Sequence, residues 1–75
     1  MQKNNQPSFV TTFVDCDHQF VQQQVFAHNS SDALRRFLMD RCPEEEASVS
    51  ECTTVDDLKA WAIHRECFAE VLQVS

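Results

Sequence analysis

No glycine occurs anywhere in these 75 residues. Glycine is the residue that enters left-handed backbone conformations without steric cost, so every turn here has to be built from Asp, Asn, His, Ser or Pro. The two common phosphate-cradling loops and the strained serine elbow all depend on glycine, and none of them can be written in this chain. The remaining question is how four or five reversals are made without it.

The first reversal falls at DCDH. It is preceded by SFVTTFVDC, residues 8–16, and followed by QFVQQQVFA, residues 19–27, both rich in β-branched and aromatic residues and free of breakers. These two runs predict an antiparallel hairpin, with Asp and His tolerating the turn. Alternation places Phe9 and Phe13 on one face of the first strand and Val10 and Val14 on the other. In the second strand Phe20 and Phe26 share a face opposite Val21, Val25 and Ala27. Both faces are partly apolar. A two-stranded ribbon is marginal alone, so one face must meet helices.

HNSSDALRRFLMDRCP opens a helix predicted over 31–42. Ser30 or Ser31 is placed to cap it, Asp32 lies in the first turn, and Pro43 stops it. A second start follows at Thr54, where Asp57 three residues on has capping-box spacing. Leu58, Trp61, Ala62, Phe68, Ala69 and Leu72 then fall on one helical stripe, which predicts a helix over 55–72. Ala60, Ile63, Cys67, Val71 and Val74 form a second stripe opposite it. The competing reading ends this helix near His64 and makes 67–74 a third strand, since short apolar runs are ambiguous between the two states. The expected fold is therefore α+β: a leader over 1–7 and one domain over 8–75, with the hairpin packed on two helices.

A chain this short has a thin core. No apolar run approaches the roughly 18 residues of a membrane span, and MQKNNQPSF lacks the apolar centre of a secretory signal. A cytoplasmic setting follows as the expectation, with Cys16, Cys42, Cys52 and Cys67 read as reduced thiols. Cys16 and His18 together with His64 and Cys67 supply zinc-type ligands, but the spacing is not that of a finger or ribbon. Nothing marks a thiol as an activated nucleophile. The expectation is no enzyme and no cofactor. Six bases against twelve acids oppose a phosphate backbone, so direct nucleic-acid binding is not expected either.

The charge is concentrated. Asp40, Glu44, Glu45, Glu46, Glu51, Asp56 and Asp57 face a single base, Arg41, within residues 40–57, so this segment carries the whole formal net charge of −6. It is either a solvated loop or a surface that steers toward a basic partner. Spare apolar surface beside it favours docking, with Phe9, Phe13, Phe20 and Phe26 as candidate anchors. The expected function is a small non-catalytic acidic binding protein or inhibitor of a basic, nucleic-acid-binding protein. Phage and mobile-element proteins that block host nucleic-acid machinery are alike in size and charge, an analogy of kind only. The alternative is a regulatory or structural homodimer with its seam on the second helix. Reversing Glu44, Glu45 and Glu46 to Lys is expected to spare the fold and abolish binding.

Overall fold

The computed structural model describes residues 6–74. Strand β1 (Ser8–Val14) pairs antiparallel with β2 (Phe20–Phe26) on one side and with β3 (Phe68–Gln73) on the other, giving the order β2-β1-β3. Between β2 and β3 the chain forms α1 (Ser30–Arg41), a single 3-10 turn at Pro43–Glu45, the short helix α2 (Glu46–Ser50), and α3 (Val55–His64). The helices lie against one face of the sheet. Most of the leader expected over residues 1–7 lies outside the described residues, but the Pro7 carbonyl accepts from Ala27 N at 3.2 Å and so joins the end of the hairpin.

The hairpin turn is closed by side-chain chemistry. Asp15 Oδ1 accepts from both Asp17 N and Gln19 N at 2.9 Å, an Asx turn, and His18 takes a left-handed φ of 65°. Helix α1 begins one residue before the predicted start. Its cap is Asn29, neither Ser30 nor Ser31: the Asn29 side chain accepts from Asp32 N at 2.8 Å, and Ser31 donates its hydroxyl to the same oxygen. The helix ends at Cys42, as Pro43 requires. At α3 the forward half of the expected box forms, with Thr54 Oγ1 accepting from Asp57 N at 3.0 Å, while the Asp57 carboxylate accepts from the N–H of Thr53, one residue before the cap, at 3.4 Å.

The helix predicted over 55–72 is corrected. It stops at His64, and residues 68–73 form the third strand. The stop is a Schellman motif: Glu66 N donates to the Ile63 carbonyl at 2.9 Å, Cys67 N to the Ala62 carbonyl at 2.8 Å, and Glu66 sits at φ 60° where glycine is usual. The predicted stripe therefore holds only for Leu58, Trp61 and Ala62, which are buried.

The core lies between the helices and the inner sheet face. Phe13, Leu34, Phe37, Leu38, Val49, Leu58, Trp61, Ala62 and Ala69 form its main cluster, with Phe9, Ala27 and Ala33 in a smaller one beside it. Thr11 is also fully buried, and its hydroxyl donates to the Gln23 carbonyl at 2.8 Å, which satisfies it.

Two stability outcomes follow, both read from urea midpoints. Leu34→Ala should cost about 3 kcal/mol, a large share of what a domain of this size holds. Glu66→Gly should add up to about 1 kcal/mol by relieving the left-handed position, whereas Glu66→Val should destabilise.

Candidate functional site

The acidic segment, which the sequence leaves as either a solvated loop or a docking surface, is structured. Val49 on α2 is completely buried and anchors it to the core. A second tie runs through Arg65, just past the end of α3. Its guanidinium stacks on the Trp61 ring, 4.3 Å from the centroid, and donates to Glu45 Oε1 at 2.8 Å. Trp61 Nε1 donates to Ser48 Oγ at 3.1 Å, and Ser48 donates to the Glu45 carbonyl at 3.1 Å. These bonds fix the segment against α3, each contributing modestly at this half-exposed depth.

This arrangement divides the seven segment acids. Glu45 is half-buried and ion-paired with Arg65. Asp40, Glu44, Glu46, Glu51, Asp56 and Asp57 are exposed and have no ion pair among the described residues. The bases are mostly spent elsewhere: Arg35 and Arg36 both face Asp32, and Lys59 faces Glu70. Reversing Glu45 would therefore break a structural contact, so the Glu44–Glu46 triple reversal is not a clean probe of binding.

The aromatic candidates also divide. Phe9 and Phe13 are buried against the helices and are corrected from anchors to core. Phe20 and Phe26 stand exposed on the opposite, outer face of the sheet. The register places Phe20, Val14 and Phe68 in one row across that face, then Gln22, Thr12 and Glu70, then Gln24, Val10 and Leu72, and lastly Phe26 beside Ser8, which meets Val74 through the bond from Val74 N to the Ser8 carbonyl. Phe20 is 59% exposed, Leu72 66%, and Phe26, Phe68 and Val74 about half. Sequence reasoning missed Phe68 and Leu72 as surface residues because it placed them on the buried stripe of a helix. The acids and the exposed aromatics thus occupy opposite layers.

The proposed seam on the second helix changes with the end of α3. Val71 lies in β3 and Cys67 and Val74 flank it, which leaves Ala60 and Ile63 as the members of that stripe exposed on the helix.

All four cysteines are free thiols. Burial is the main cause that raises the pKa of Cys42, Cys52 and Cys67, which makes them poor nucleophiles at neutral pH. Cys67 lies against the Cys16 backbone, but no group of three His, Cys, Asp or Glu able to hold a metal occurs among the described residues. His18 sits in the hairpin turn and His64 in the last turn of α3, both exposed. Among the described residues, no helix is long and apolar enough to cross a membrane.

Three carboxylates titrate low. The Arg65 hydrogen bond and charge hold Glu45 down, Lys59 and then the Val71 amide hold Glu70 down, and the Thr53 amide leads for Asp57. A carboxylate whose folded pKa is depressed contributes stability that is present above its unfolded pKa and is lost as pH falls through the folded one. The urea midpoint should hold down to about pH 4.5 and decline below it, and Glu45→Gln should flatten that decline. A thiol-alkylating reagent at neutral pH should modify exposed Cys16 first by mass spectrometry, with Cys42, Cys52 and Cys67 lagging. Comparison with known proteins finds no family model, no curated protein and no solved structure that matches this chain.

Proposed function

We propose that this chain is a small non-catalytic acidic binding protein that docks the outside of its helical layer on a basic protein surface and acts there as an inhibitor. One observation carries the reading: six exposed acids with no ion pair among the described residues stand on a segment pinned by Val49 and by the Arg65 contacts. A solubilising loop needs no such pinning. Charge held on a fixed backbone loses less entropy on binding than charge on a free loop. It also steers encounter, lifting association rates to as much as about 10⁸–10⁹ M⁻¹s⁻¹ at low salt. The basic face of a nucleic-acid-binding protein is the partner chemistry that fits, and the setting is the cytoplasm, where thiols stay reduced. An origin in a phage or mobile element belongs to the same proposal.

The clean probe reverses exposed acids that have no ion pair among the described residues: Glu44→Lys, Glu46→Lys and Glu51→Lys together. The urea midpoint should move little. In a pull-down from the native host's lysate, the wild-type chain should retain a basic protein at low salt and release it at high salt, and the reversed chain should bind it at least about tenfold more weakly. Equal capture by both chains would sink the proposal.

A further inference from the structure

Among the described residues, no layer covers the outer face of the sheet. Its five most exposed apolar side chains, Phe20, Phe26, Phe68, Leu72 and Val74, are each about half or more exposed. With roughly 100 Å² left open on each aromatic ring, they present on the order of 500 Å² of apolar surface, near the upper end of the largest patch on a typical monomer. Thr12, Gln22 and Gln24 bring the face toward the roughly 800 Å² per partner of a standard interface. The face carries one ionisable group, Glu70, which is ion-paired with Lys59 at 3.2 Å.

We propose that this face binds a second copy of the chain, sheet on sheet, about a twofold axis running parallel to β1. That axis lays β2 over the partner's β3. Phe20 then meets the partner's Phe68, Phe26 meets the partner's Val74, and the Glu70 of each copy meets the carboxamide of Gln22, which donates a hydrogen bond. The Phe20 and Phe26 rows face themselves, the polar row faces itself, and in the third row the uncharged Gln24 lies over the partner's Leu72. A twofold axis across the strands instead sets Glu70 on Leu72 and leaves its charge against hydrocarbon. Sheets stacked near 10 Å apart with their strands within about 30° of each other accommodate the first arrangement, and its contacts are reciprocal, as a closed dimer requires. The charge distribution favours a second copy as the occupant. The exposed segment acids belong to the helical layer on the other side of each sheet, so two chains of −6 meet through nearly neutral faces.

This inference is independent of the acidic docking proposal, and the two respond oppositely to salt. Binding to a basic partner weakens as salt rises. Self-association strengthens, because only the mutual repulsion of the two copies is screened. Sedimentation equilibrium should show the 8.7 kDa chain passing to twice that mass with concentration, at lower concentration in about 0.5 M than in about 0.05 M salt. Phe20→Ser should weaken the dimer at least about tenfold. A second reading needs no variant: in a mixture of isotope-labelled and unlabelled wild-type chains, intermolecular NOEs should link the Phe20 and Phe68 rings. A wild-type mass that stays at 8.7 kDa throughout overturns the inference and leaves the face to a different protein. A dimer that tightens at low salt, or one that forms without the Phe20–Phe68 NOEs, overturns it as well.

Discussion

Everything in this fold hangs on β1 having a partner on both sides. Its seven residues pair with β2 through Ser8 to Val14 and with β3 through Phe9 to Val14. A strand so enclosed has little choice of register, because slipping by one residue would turn Phe9, Thr11 and Phe13 outward and bring Val10, Thr12 and Val14 in. The two reversals that deliver its partners lie at the same end of the sheet, beside Val14. One is closed by the Asp15 carboxylate and the other by the backbone bonds at Glu66 and Cys67. Each needs a left-handed residue, and without glycine the positions fall to His18 and Glu66. Holding a side chain there costs about 1–2 kcal/mol, which the ladder on either side of β1 has to offset.

Much of this architecture is legible in the residues. The hairpin, its reversal at DCDH, helix α1, its stop at Pro43 and the Thr54 cap all follow from local chemistry that tertiary contacts do not override. The end of α3 is different. Cap signals usually announce themselves through glycine, and Glu66 announces nothing, so a helical stripe continuing through Phe68 and Leu72 looks as sound as a strand. What decides it is the open edge of β1, a partner far away in sequence. The same long-range fact decides which phenylalanines are core. Alternation sorts Phe9 and Phe13 from Val10 and Val14 but cannot tell which face α1 will cover. The charge cluster was visible at once. Its separation from the exposed aromatics was not, because that depends on β3 being a strand.

That separation organises the surface. Helices cover one side of the sheet, and their outward positions carry the unpaired acids, while the outer sheet side carries phenylalanine, leucine and valine around a band of glutamine and threonine. One small domain thus presents two surfaces of opposite character, and each excludes what the other favours. The acidic layer repels a second copy of itself, and the apolar face offers nothing to a cation except Glu70, already held by Lys59.

The pairing of β1 has a temporal consequence as well. Its contacts to β2 span only a short turn, so the hairpin closes early and at little loop-closure cost. Its contacts to β3 bridge the entire helical layer and close a far longer loop, at a higher entropic cost, so they form more slowly. Until then the edge of β1 that faces β3 is an unpaired template for any extended segment that drifts past. The two sides of a single strand therefore mature at different times, and the late side is where this fold is most open to being completed by the wrong chain.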